Sequence, residues 1–345
     1  MKTTKQLFLL TLLFILPMGA AGVEPSADSL RVETCQYAEK DGQALMLDVY
    51  VTTPQSSQAS ALSLLGKEIR RPVVIFSFGG SWEHGTRKDG QRFLEDFARH
   101  GFVAVGIDYR LGIKQFKERG GTITAETFVP AYEKAVLTGV EDLYDATAYI
   151  IREADRWHAD TSRIVVCGSS AGAINTATAE FLICNDHPLA QQHLPAGFNY
   201  KAAITLAGGI WVAGYEMPTW KHRPCPFLFY HGTSDQLVPY DKNVAPGAVF
   251  AAFGPATLLP QLKEMKVPYL MHTYTGADHI IAGTNDNEAA RFEMMNFLFR
   301  TLYMNEQVGI TVTEDYYDRA PSIKTFFDTL KEMGIGQQDN QQKQP

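Results

Sequence analysis

Ser170 stands at the centre of Gly168-Ser169-Ser170-Ala171-Gly172, a G-x-S-x-G pattern that follows the β-favouring run Ile164-Val165-Val166-Cys167 and precedes a helix-favouring stretch. A serine so placed rides on a tight strand-to-helix turn, where strained backbone and close packing admit only small neighbours. By itself the pattern also reads as a Gly/Ser-rich loop. A serine hydroxyl is a weak nucleophile at its free pKa, so it needs a general base, an acid that orients the base, and donors for the oxyanion. The chain offers all three. Asp235 closes the loop His231-Gly232-Thr233-Ser234-Asp235 after the apolar stretch 226–230, and His279 closes Thr275-Gly276-Ala277-Asp278-His279 after the stretch 269–274. The expected oxyanion donors are the N–H of Ala171, directly after the serine, and those of Gly80 and Ser81 in Phe78-Gly79-Gly80-Ser81-Trp82.

These residues need a scaffold that brings them to one edge. Strands are predicted at 44–51, 72–78, 103–109, 164–167, 202–206, 226–230 and 269–274, several of them apolar throughout, as in strands buried on both faces of a parallel sheet. Helices are predicted at 91–100, 129–157, 171–182, 245–265 and 288–302. The alternation of strand and helix points to an α/β fold: a mostly parallel sheet with helices on both faces and reactive loops at the carboxyl ends of its strands. Residues 22–43 read as polar and irregular, 53–69 as a surface connection and 112–126 as a charged loop or lid-like insertion. The domain is expected to span 22–304. The remainder, 305–345, reads as a polar extension with one helix at 323–333 and a low-complexity end.

Lys2 and Lys5 precede the apolar run 7–17, and Gly19, Ala20 and Ala21 follow it, the pattern of a secretory signal peptide covering 1–21. That run is shorter than the roughly 20 residues needed to span a bilayer. A secreted or periplasmic protein without membrane insertion is therefore expected. The formal net charge of −7 offers nothing to nucleic acid. Cys35, Cys167, Cys184 and Cys225 show no C-x-x-C spacing; export permits disulfides among them, while Cys167 reads as a packing residue. No metal or cofactor is implied.

Across 44–300 the chain resembles the α/β-hydrolase carboxylesterases of the hormone-sensitive-lipase type and the secreted esterases that act on acylated plant polysaccharides. The likeness rests on Leu47-Asp48-Val49-Tyr50, Gly79-Gly80-Ser81-Trp82 with Gly85 and Lys88, Asp108-Tyr109-Arg110-Leu111, the Ser170 turn, and the Asp235 and His279 loops, whose Ser, Asp, His order is that of the fold. The family's His-Gly-Gly-Gly stands here as Phe78-Gly79-Gly80-Ser81. The resemblance implies a serine esterase working through an acyl-enzyme on short-chain or polysaccharide-linked acyl esters. A serine peptidase of the prolyl-oligopeptidase type shares the chain order but normally carries a large N-terminal propeller, which the stretch 22–78 is too short to form. A non-catalytic binding module of the same fold typically lacks one of the three residues.

Other side chains compete for these roles. Ser169 reads as a helix-entry hydroxyl, Asp278 and Asp241 as outside alternatives to Asp235, His231 as a loop-bonding residue and His84 as a residue of the site mouth. Asp108 and Arg110 read as a salt-bridged pair. Trp82, Trp211 and Trp220 are pocket wall or sugar-stacking candidates. The acidic cluster Glu314-Asp315-Tyr316-Tyr317-Asp318 lacks the spacing of a calcium loop and reads as a solvated face.

Overall fold

A computed structural model describes residues 29–52, 70–213, 217–244 and 250–316. Its centre is a nine-stranded sheet in the order β1-β2-β4-β3-β5-β6-β8-β11-β12. The strands are β1 (Leu30–Lys40), β2 (Gln43–Thr52), β3 (Arg71–Ser77), β4 (Val103–Ile107), β5 (Ala159–Ser169), β6 (Ala202–Leu206), β8 (Phe227–Gly232), β11 (Tyr269–Thr275) and β12 (Gly309–Asp315). β1 and β2 pair antiparallel, as do β2 and β4, and every other neighbour in this sheet is parallel. Val73 to Phe76 of β3, all of β4 and Val165 to Cys167 of β5 are buried, which is what continuous apolar strands achieve when helices cover both faces.

Helices α1 (Gln91–Arg99) and α7 (Glu288–Leu302) pack together, while α3 (Ala125–Arg152) packs with α2 (Gly112–Glu118), α4 (Ala171–Cys184) and α5 (Pro188–His193). The hydroxyl of Tyr144 on α3 donates to the Ala179 carbonyl of α4 at 2.6 Å, tying the helix after Ser170 to its neighbour. A small antiparallel sheet, β7 (Ile210–Ala213), β10 (Phe250–Phe253) and β9 (Lys242–Val244), precedes α6 (Pro255–Glu264). Among the described residues, no helix is long and apolar enough to cross a membrane.

The structure departs from the sequence reading at four places. Residues 30–40 form an edge strand, and only Cys35 and Tyr37 of it are buried, so no apolar run marks it. Residues 112–118 are helical. The helix predicted over 245–265 starts only at Pro255, because Phe250–Phe253 pairs with β7. Beyond α7 the chain re-enters the sheet as β12. The expected signal segment 1–21, the connection 53–69, the helix 323–333 and the end of the extension lie outside the described residues. All four cysteines are free and buried, and burial pushes the Cys167 and Cys225 thiols up, away from reactive thiolate.

Candidate functional site

β5 ends at Ser169 and α4 begins at Ala171, leaving Ser170 alone on the turn at φ 51°, ψ −119°, a region unfavourable for any residue with a Cβ. Packing holds it there. A Cβ on Gly168 would meet the carbonyl of Gly172, and one on Gly172 would meet the carbonyls of Ser77 and Phe78. The Ser170 N–H donates to the Leu206 carbonyl of β6 at 2.9 Å, and its own carbonyl accepts from Ile174.

The Oγ of Ser170 lies 2.8 Å from Nε2 of His279, and Nδ1 of His279 lies 2.8 Å from Oδ2 of Asp235. With the Nδ1 proton facing the carboxylate, Nε2 is left to accept from the serine hydroxyl. The Asp235 side chain is fully buried. Its Oδ1 accepts from the N–H groups of Leu237 and Val238, both at 2.9 Å. Nε2 of His231 faces the Val238 carbonyl at 2.9 Å and so carries its proton; Oδ2 of Asp235 is 3.3 Å from the same nitrogen. Burial pushes the Asp235 pKa up, but the hydrogen bonds from His231 and His279 outweigh it and hold the carboxyl below the usual range.

Facing Ser170 is the loop after β3. Gly79 packs against it so closely that an added Cβ would come within 3.1 Å of the Ser170 Cβ. Gly80, Ser81 and Trp82 all have positive φ (112°, 56° and 56°), and the Gly80 carbonyl accepts from Glu83 and His84. The N–H groups of Gly80, Ser81 and Ala171 have no acceptor among the described residues. The first N–H groups of α2, those of Ile113 and Lys114, donate to the Trp82 carbonyl at 3.2 Å, so the segment expected to be a loop instead braces this turn.

A cavity of about 520 Å³ opens over Ser170. One wall is aromatic: Trp82 and Trp211 have ring centroids 5.8 Å apart, and Tyr132 meets Trp82 edge-on at 5.9 Å. Trp82 is further fixed by its Nε1, which donates to Oδ1 of Asn175 at 3.0 Å. His279, Asn285 and Asp286 also line the cavity. Asp89 and Asp286 also line a polar cleft of about 440 Å³ that continues past Lys88 and Arg92.

The sequence model of the BD-FAE family matches residues 65–193, which include the Gly80 loop and the Ser170 turn. In overall structure the chain is similar to esterase 2 of Thermogutta terrifontis: the form phosphonylated by cyclosarin shares 20% identity over 79% of this chain and 94% of that one, at a TM-score of 0.55. The chain has the α/β-hydrolase fold. Among curated proteins the chain is 30% identical to esterase LipC of Mycobacterium tuberculosis over 45% of its own length and 32% of that protein. It is 22% identical to a putative α/β hydrolase, R526, of Acanthamoeba polyphaga mimivirus over 56% of its length and 53% of that one. The chain thus spans about a third to a half of these curated relatives.

The fold brings together eight of the residues singled out in the sequence, since Gly80, Ser81, Trp82, Ser170, Ala171, Trp211 and His279 line the cavity and Asp235 backs His279. His84 lines it too. Trp220 does not; it packs edge-on against Phe181 and Phe227 in the core. Asp278 accepts from the N–H of Ile280, and Asp241 accepts from Thr257, so neither stands beside His279 as an acid. The expected Asp108–Arg110 pair is not formed: Asp108 pairs with Arg87 at 2.7 Å, and Arg110 with Asp142 at 2.7 Å. Ser169 is not a helix-entry hydroxyl; it donates across the site to the Ala282 carbonyl at 2.6 Å. That bond and the contact of His231 with Asp235 went unread because each depends on where a distant carbonyl or carboxylate lands.

Proposed function

We propose that this hydrolase is a serine carboxylesterase, carried out of the cytoplasm by the segment 1–21, that cleaves short-chain or polysaccharide-linked acyl esters through an acyl-enzyme. The observation that carries the reading is the unbroken relay Ser170–His279–Asp235, at 2.8 Å per step, beside three N–H groups without acceptors among the described residues. In this reading Ser170 attacks the ester carbonyl as His279 takes its proton. The tetrahedral oxyanion gathers hydrogen bonds from Gly80, Ser81 and Ala171. His279 then returns the proton to the departing alcohol, and water, activated by the same imidazole, hydrolyses the acyl-enzyme. Asp235 keeps His279 in the required tautomer and stabilises its cationic form.

Because His279 protonates the leaving oxygen, the alcohol belongs on its side, towards Asn285, Asp286 and the polar cleft. The acyl group then lies against Trp82, Tyr132 and Trp211. An aromatic wall of limited size supports short acyl groups, and the polar cleft supports a hydroxyl-rich alcohol. The Thermogutta esterase, of the same fold, has been solved with propionate bound and with butyrate bound, both short acyl acids.

The test is hydrolysis of p-nitrophenyl esters from acetate to decanoate, run beside acetylated xylan and a panel of dipeptide amides. The proposal predicts the highest kcat/KM at acetate to butyrate and acetate release from xylan. Faster turnover of the amides would favour a peptidase instead, and a maximum at decanoate would refute the short-acyl assignment.

A further inference from the structure

We propose that Ser169 is a positioning residue, whose hydroxyl holds the histidine-bearing segment in register with Ser170. The inference rests on the serine-esterase reading above and adds to it a residue outside the catalytic relay.

The two partners of the Ser170–His279 bond sit on elements of very different rigidity. Ser170 follows a strand locked on both sides, with Gly168 in register with Ser77 of β3 and Ser169 in register with Leu206 of β6. His279 opens a 3₁₀ helix, His279–Asp286, that belongs to no sheet. Short 3₁₀ segments have poorer hydrogen-bond geometry than α-helices and depend on outside contacts for their placement.

Apart from the contacts of the His279 ring, four bonds from outside tie this segment and its approach, one of them from the Gly276 N–H to Oγ1 of Thr233 at 2.9 Å. Before it, the Ser234 N–H of the acid loop donates to the Ala277 carbonyl at 2.9 Å. Near its end, the Arg291 guanidinium of α7 donates to the Asn285 carbonyl at 3.0 Å, and is itself held by Asp96 of α1 at 2.6 Å. Between these, Ser169 donates to the Ala282 carbonyl at 2.6 Å. Only the Ser169 bond comes from the strand that carries the serine. It transfers the rigidity of the central sheet to the segment three residues beyond His279, and so sets the Oγ to Nε2 separation independently of the catalytic bond.

Position in the cavity strengthens the assignment. Ser169 lies next to Ser170 and is nearly buried, at 9% exposure, so water competes little for its hydroxyl. It is too far along the strand to act as a second nucleophile, because the turn places Ser170, not Ser169, against Nε2. Among the described residues, the only partner of its hydroxyl is the main chain of the histidine segment. Ala282 contributes a carbonyl, which no side-chain substitution there removes, so the bond is tested from the Ser169 side.

The experiment compares Ser169→Ala, Ser169→Thr and Ser170→Ala in the full chain. For each it measures kcat and KM on p-nitrophenyl acetate, the rate of labelling by a fluorophosphonate, and Tm. The inference predicts that Ser169→Ala loses about ten- to a hundredfold in kcat, the size expected when reacting groups drift out of alignment. KM should stay within about twofold, because uniform binding is untouched. The labelling rate should fall in parallel, and Ser169→Thr, which keeps a hydroxyl, should recover most of the loss. Wild-type kcat and labelling in Ser169→Ala would overturn the inference, as would a loss that Ser169→Thr shares at unchanged Tm. If Ser169→Ala lowers Tm below the assay temperature, rates are read per folded molecule at lower temperature, and a wild-type rate there also overturns it. Activity persisting in Ser170→Ala would instead sink the serine-esterase reading, so the two failures are distinguishable.

Discussion

The ring of Phe78 lies flat on that of Tyr109, with centroids 4.3 Å and planes 18° apart, and the Tyr109 hydroxyl donates to the Phe78 carbonyl at 2.8 Å. Phe78 occupies the place where the esterases this chain resembles carry histidine, at the head of the proposed oxyanion loop. Here the loop is hung from β4's end by a ring stack and a hydrogen bond to main chain, so it keeps its support without an imidazole. Tyr109→Phe keeps the stack and removes the bond. It should cost about 1 kcal/mol in denaturant unfolding and lower kcat severalfold, whereas Tyr109→Ala, which loses both, should cost more on each count. Equal effects of the two variants would contradict this division of labour.

In the proposed mechanism Asp235 works through His279, so Asp235→Asn should reduce kcat by about 10³–10⁴ with little change in KM, by analogy with the serine-protease case. Its pH signature has a fixed sign. Burial raises its pKa, but His231 and His279 depress it further than burial raises it. A depressed folded pKa means stability that is present above the unfolded value of about 3.9 and is lost as pH falls through the folded value. Wild type should therefore lose stability on acidification below about pH 4 more steeply than Asp235→Asn, as read from Tm between neutral and acid pH. Parallel curves would contradict it.

His272 of β11 carries the opposite sign. It lies 2.9 Å from Glu293 of α7 and 3.3 Å from Glu314 of β12, with its ring stacked on Tyr274 at 4.4 Å. Burial lowers its pKa, but the two carboxylates outweigh burial and raise it. The stability it contributes is fully present below an unfolded pKa of about 6.5 and is lost as pH rises through the folded value. His272→Gln should flatten the decline of Tm on the alkaline side, and an unchanged decline would count against the His272 clasp on β12.

Trp211 closes the aromatic wall against Trp82. Trp211→Ala should open the cavity and raise the ratio of kcat/KM for p-nitrophenyl octanoate over acetate by about tenfold or more, since each accommodated methylene is worth roughly 1 kcal/mol or more. A ratio unchanged from wild type would place the acyl group elsewhere.

The sequence revealed most where chemistry restricts residue type. Gly168 and Gly172 are forced by carbonyls that leave no room for a Cβ, and Asp235 and His279 follow strands whose apolar runs are unmistakable. Legibility failed where burial was one-sided or partnership was remote. β1 and β12 lie at the sheet edges with few buried side chains, so neither carries a hydrophobic run. Phe250–Phe253 is too short for apolar content to separate strand from helix. Ser169 and His231 have side chains compatible with many local bonds, and only the fold selects the Ala282 carbonyl and the Asp235 carboxylate. The pairing of Arg110 with Asp142 rather than Asp108 is of the same kind, a choice of partner made at a sequence separation of 32.

The most direct test of the esterase reading is active-site titration with a fluorophosphonate, followed by intact-mass and peptide mapping. The account predicts one adduct per chain, located on Ser170, with loss of p-nitrophenyl acetate hydrolysis in proportion to labelling and no adduct in Ser170→Ala. Labelling on another residue, or full activity in a chain whose Ser170 is modified, would contradict it.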